Sequence, residues 1–155
     1  MNLVEGMTKL CKRITGGDPI VVPNRPEQWV KEGYCFANVK RQIEEHGGSG
    51  QFGWLFHELA GILTAVHHQV WRSPEGELVC VTPQEESTTV MRPVGIVFLP
   101  DDTATLSKPA GCESGLARPN RYMAMTRNKR VRAIVRSATQ GKYEYGQQVQ
   151  AMMKA

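Results

Sequence analysis

Apolar residues recur with the spacing of helix faces near the amino end and with the alternation of strands through the middle of the chain. Leu3, Met7, Leu10, Cys11 and Ile14 predict an amphipathic helix over residues 2–14, stopped by Gly16-Gly17. Cys11 lies on its apolar stripe and reads as a core residue. Residues 18–26 hold three prolines, which enforce extended backbone and deliver Trp29 and Val30 to the core ahead of a turn at Gly33. From Cys35 to His46, Phe36, Val39 and Ile43 form one stripe while Lys40, Arg41, Glu44 and Glu45 point outward. That is a second helix, ended by Gly47-Gly48.

Period-two patterning then takes over. Residues 51–57 are aromatic-rich and predict a strand, followed by an irregular segment at 59–63. Residues 63–72 alternate as a strand, Ser73-Pro-Glu-Gly76 is a turn, and residues 77–82 return as its partner. That pairing sets His68 roughly opposite Thr82, with Cys80 nearby. Gln84 to Thr89 is a polar loop and residues 94–99 a further apolar strand. Residues 103–120, with Pro109, Gly111, Gly115 and Pro119, read as a long loop. Tyr122 to Ala138 predicts a basic helix, with a short terminal helix after Tyr143. The fold class is α+β: a small antiparallel sheet, a cysteine-bearing helix packed on it, and helices at both ends.

With 155 residues, the chain is expected to form one domain with a sizeable core. Residues 33–100 make its centre and 118–155 a basic helical segment. No apolar run reaches the roughly 18 residues that span a bilayer, and charges interrupt the first helix. The expectation is therefore a cytoplasmic protein without a signal peptide or membrane contact. Cys11, Cys35, Cys80 and Cys112 form no C-x-x-C pair, which argues against a zinc ribbon and for free thiols in a reducing compartment. Charge is unevenly spread. From Arg118 onward nine Lys/Arg face Glu144 alone, a net of +8, whereas the preceding residues carry ten basic and fourteen acidic groups, a net of −4. This end suits an acidic protein or nucleic acid through Arg127, Lys129, Arg130 and Arg132, or is a solvated helix face lying against the acidic body.

The candidate chemistry lies between the two charge regimes. A thiol on a helix start, then a histidine on a strand, then a polar group on the next strand is the order in which papain-like folds assemble a nucleophile and its base. Cys35 stands on the first turn, where unpaired N–H groups and the helix dipole favour thiolate. His67 and His68 point to opposite faces of their strand, and His68 is preferred as the base because His67 shares its face with Gln69 and Trp71. Cys80 or Thr82 would orient the imidazole. Asn38 and Trp54 are candidate substrate contacts, Trp54 also being suited to the core. A rival use of Cys35, His68 and Cys80, joined by His57, is a soft ligand set for zinc, although the spacing matches no recognised zinc pattern.

The string Gly33-Tyr-Cys35-x-x-Asn38-Val39, Gly53-Trp54, His68-x-Val70-Trp71, Pro74-x-Gly76-x-Leu78-Val79-x-Val81-Thr82-Pro83 resembles a family of small bacterial and phage proteins over about residues 33–100. The family pattern places an Asp two residues before the Thr-Pro, giving a Cys-His-Asp arrangement similar to papain-like and NlpC/P60-like thiol hydrolases. Here that position is Cys80. The resemblance implies a cysteine hydrolase or transferase acting on an amide, ester or isopeptide bond of a protein or peptide-like substrate, with no cofactor. The alternative is a non-catalytic binding or inhibitor protein of phage or mobile-element origin that uses its basic end.

Overall fold

The structure is a computed structural model that describes residues 1–27, 34–108, 110, 115–141 and 153. The expectations for Trp29, Val30, Gly33 and Cys112 lie outside the described residues, as does almost all of the segment after Gly141.

Helix α1 (Leu3–Ile14) starts where the Asn2 side chain accepts the Glu5 N–H at 2.9 Å. Its buried residues Met7, Leu10 and Cys11 pack with Trp54, Phe56, Leu63 and Leu99 from the sheet. Strand β1 (Ile20–Pro23) follows, then α2 (Cys35–His46), β2 (Ser49–Leu59), β3 (Ile62–Arg72), β4 (Leu78–Val79), β5 (Met91–Arg92), β6 (Gly95–Pro100), β7 (Arg121–Ala124) and α3 (Lys129–Thr139). The seven strands form one sheet in the order β1-β6-β2-β3-β4, with β5 on β6 and β7 on β3, every ladder antiparallel. The α+β class stands. Among the described residues no helix is long and apolar enough to cross a membrane.

The long hairpin β2–β3 is the spine. It is longer than the alternation predicts because the segment read as irregular is a two-residue turn, Ala60-Gly61, that keeps Leu59 opposite Ile62. Both turn residues have positive φ, 53° and 80°, as the tightest hairpins need. Strand β3 is fully paired to β2 on one edge. Its other edge is shared, β7 meeting Ile62–Ala65 and β4 meeting Trp71–Arg72. Between those two contacts no described strand pairs with this edge of β3, and His67, His68 and Gln69 lie there.

Two expectations change. The basic helix predicted from Tyr122 begins only at Lys129, because Arg121–Ala124 fill the vacant β3 edge and bury Met123 against the core. Asn128 then caps α3 by accepting from the Arg130 and Val131 N–H groups. The return strand 77–82 keeps to the ladder only through Val79. Cys80 turns instead to the β1 side, its N–H donating to Pro23 O at 2.8 Å and its carbonyl accepting from Arg25 N at 2.9 Å. Helix α2 covers this departure, with Val39 packed on Val79 and Val81.

Candidate thiol–imidazole site

Strand alternation divides the two neighbouring histidines as the sequence implies. His67 faces Phe36, Phe52 and Trp54, with ring centroids 5.0 to 5.7 Å away. His68 faces the other way, edge-on to Phe98, and pairs across the ladder with Gly53. A side chain at position 53 would collide with the Phe98 ring and the Leu99 carbonyl. Gly53 therefore clears the space in which the aromatic wall of the imidazole stands.

The structure brings His68 together with Cys80. Their Nε2 and Sγ atoms are 3.3 Å apart, and both residues are buried. The sulfur has further partners. It donates to Thr82 O at 3.5 Å and accepts from Gln84 Nε2 at 3.7 Å. With the thiol proton committed to Thr82, the consistent assignment has His68 donating Nε2–H to the sulfur, which leaves a lone pair on Nδ1. Among the described residues Nδ1 has no hydrogen-bond partner.

A polar frame holds this corner. The Asn24 side chain donates to the carbonyls of both Cys80 and Thr82, at 3.2 and 2.9 Å, and Gln84 donates to the Thr82 carbonyl at 3.1 Å. Asn38, buried on α2, donates to Thr82 Oγ1 at 3.1 Å. The helix that carries Cys35 is thereby tied to the segment that carries Cys80. Sequence reasoning singles out Asn38 and Thr82. It misses Asn24 and Gln84, because the signal that would find them is a chain departure at Cys80 that no local pattern encodes.

Cys35 is the first residue of α2, and the Tyr34 side chain makes no cap. Cys35 is 8% exposed. Burial pushes it up to about 11, backbone groups of Gln69, Phe36 and Cys35 itself pulling it down while the neighbouring Cys80 adds to the rise. This corrects the thiolate expectation: the helix-start amides are present, but desolvation outweighs them. Burial likewise drives His68 down to about 3 and Cys80 upward. At neutral pH all three groups are uncharged. No hydrogen bond joins Cys35 to His68.

Beside the start of α2 lies a mostly apolar groove of about 950 Å³. Tyr34 and Phe36, the chain neighbours of Cys35, form part of its wall with Ile43, Phe52, Gln69 and Leu116. Trp54 is not among them. It is 5% exposed, packs in the α1 core and donates its indole N–H to Asp101 Oδ2 at 2.9 Å, so it serves the core and not a ligand surface. The zinc alternative is not assembled. His57 pairs with Thr88 Oγ1, and among the described residues no three His, Cys, Asp or Glu side chains are grouped to hold a metal ion.

Compared with protein-family models, curated proteins and solved structures, the chain has no match.

Proposed function

We propose that the protein is a small cysteine-dependent hydrolase or transferase acting on an amide, ester or isopeptide bond. The observation that carries this reading is the hydrogen bond from His68 Nε2 to Cys80. It fixes the ring and leaves Nδ1 as the proton-accepting nitrogen, and the Cys80 sulfur that it meets is an electrostatic neighbour of Cys35 at the start of α2. Cys80 takes the position an acid or amide occupies in other thiol triads, orienting the imidazole without a charge.

The chemistry starts from a neutral pair. His68 Nδ1 accepts the Cys35 Sγ proton as the sulfur attacks the substrate carbonyl, and the same proton passes to the departing amine or alcohol. The thioester then yields to water or to an acceptor nucleophile, whose proton returns through His68 to Cys35. The Cys35 and Phe36 amides at the helix start face the developing oxyanion. The pair closes to hydrogen-bond distance as substrate excludes water, since catalytic hydrogen bonds are often long before substrate is bound. The apolar groove, on the His67 face of β3 beside Tyr34 and Phe36, receives a substrate group that leads away from the His68 side. A reducing cytoplasm would keep both thiols free, and the resemblance to papain-like hydrolases agrees with this assignment of roles.

The test is acyl capture by the full chain. Incubation with acyl thioesters and aryl esters of graded chain length, followed by peptide mass mapping, should place the acyl group on Cys35. Capture should vanish in Cys35→Ser and slow at least tenfold in His68→Ala. No acylation by any probe, or capture indifferent to His68, would overturn the reading and leave a non-catalytic scaffold.

A further inference from the structure

We propose that the exposed face of α3, with Arg127 just before it, is a binding site for the phosphate backbone of nucleic acid.

Arg127, Lys129, Arg130, Arg132 and Arg136 are all exposed. The acidic body supplies partners for cations elsewhere: Lys12 pairs with Asp18, Arg25 with Glu77 and Arg41 with Glu45. None of the five cations on or beside α3 has an ion pair among the described residues, and no acidic residue occurs between Arg118 and Gly141. The helix lies against the body as a solvated face, without ion pairs to the acidic residues described. Its apolar side is used up on β7 and β3, where Val131 and Ile134 pack with Ile62. The cations face solvent.

Three anionic partners suit a basic face, and the structure favours one. A membrane-surface helix inserts an apolar stripe under its charges. Here that stripe is buried in the domain. A protein partner needs a desolvated centre enriched in aromatic and apolar side chains and depleted in charge. The exposed residues of α3 are Lys129, Arg130, Arg132, Ala133, Arg136 and Thr139, which offer no such centre. A phosphate backbone needs only a rigid row of donors. Lys129, Arg132 and Arg136 stand on one side of the helix over about 10 Å of axis, while Arg127 and Arg130 flank them. Four of the five are arginines, whose forked donors match phosphate oxygens. Contacts to phosphate carry no sequence information, so affinity should depend little on sequence.

The experiment is fluorescence anisotropy of the full chain with labelled 20-nucleotide single strands and 20-base-pair duplexes, at 50 and 200 mM salt. With about four phosphates neutralised, affinity should fall on the order of 100-fold across that range. The variant Arg127→Gln/Lys129→Gln/Arg130→Gln/Arg132→Gln should lose at least tenfold in affinity at 50 mM salt. Its fold is checked by circular dichroism, and Lys9→Gln/Lys40→Gln, which removes two exposed lysines elsewhere, should bind as wild type. Oligonucleotide binding that survives the four-fold variant, or falls equally in the two-lysine control, would overturn the proposal. So would tighter binding to polyglutamate or to phosphatidylserine vesicles than to either oligonucleotide.

Discussion

His67 and Arg118 are joined through the backbone: the Arg118 N–H donates to His67 Nδ1 at 2.8 Å, while His67 Nε2 meets the Ala104 carbonyl. An acceptor role at Nδ1 and a donor role at Nε2 require the neutral imidazole with its proton on Nε2. One ring thus ties β3 to Ala104 and Arg118, which bracket a stretch carrying Leu106 and Leu116 of the groove. His67→Phe keeps the aromatic packing but strands both backbone groups. It should lower stability by about 1–3 kcal/mol and weaken any groove ligand, whereas His67→Gln should recover part of the loss. Urea unfolding of the three proteins checks this, and equal midpoints for the Phe and Gln variants would remove the pin.

Acid should destabilise the fold through its histidines. Burial lowers His57, His67 and His68, His68 to about 3. Around His67, Arg118 works in the same direction and Asp101 against it. For a depressed folded pKa the unfolded chain takes up protons first. Stability is full above the unfolded value of roughly 6.5 and is lost as pH falls below it, for His68 until about pH 3. Asp101 adds loss at lower pH: burial acts to raise it, but hydrogen bonds from Thr103 and Trp54 prevail and hold it below the usual carboxylate range. Between pH 7.5 and 5.0, His68 alone should cost about 2 kcal/mol. Denaturant midpoints at the two pH values should converge in His68→Gln, and an unchanged pH slope in that variant would show that His68 does not control it.

Cys35 should be slow toward small alkylating agents at neutral pH. A buried thiol at about 11 holds little thiolate at pH 7. Iodoacetamide labelling should rise close to tenfold per pH unit from pH 7 to 10. Mass mapping after brief exposure measures it. A plateau below pH 8 would mean that the helix-start amides, and not burial, govern the thiol.

Placing an acid at position 80 should raise the basicity of the imidazole. In Cys80→Asp, a carboxylate within reach of Nε2 favours protonated His68. The imidazole pKa should move from about 3 toward neutrality. Nuclear magnetic resonance titration of the His68 ring reads this directly, and acyl capture at Cys35 should accelerate about tenfold or more. Because a buried charge is costly without partners, Asn24 and Gln84 matter here. In their absence the variant should unfold at lower denaturant.

The hairpin turn offers a gain. Ala60 holds φ 53°, a left-handed conformation that a Cβ disfavours. Ala60→Asn creates Asn-Gly, the preferred pair for such a turn. Stability should rise by about 0.5–1 kcal/mol, seen as an increase in Tm.

The legible parts of this molecule are those whose patterns are local. The stripes of α1 and α2 and the alternation of β2, β3 and β6 lie in the sequence because each buries one face within a few turns or one ladder. The strand β7 is not legible: its four residues are defined by a vacancy on β3 some sixty positions earlier. The site divides in the same way. His68 near Cys80 and Thr82 follows from strand order and spacing, and the structure joins His68 to Cys80. Asn38, expected at a substrate, is buried and bonds Thr82 instead. Asn24 stays hidden because its carbonyl partners are 56 and 58 residues away. The charge state of Cys35 is not legible, because a helix start is visible in sequence whereas the depth of burial is not.

The contrast between the β2–β3 hairpin and the polar corner around Thr82 sets an order of events in folding. Eleven-residue strands joined by two residues close with little loop entropy and form early. Asn24 and Asn38 must each reach back across more than forty residues to Thr82. The corner that aligns His68 with Cys80 is therefore the last to form and the first to open. Substitutions there should hasten unfolding while leaving the folding rate almost untouched.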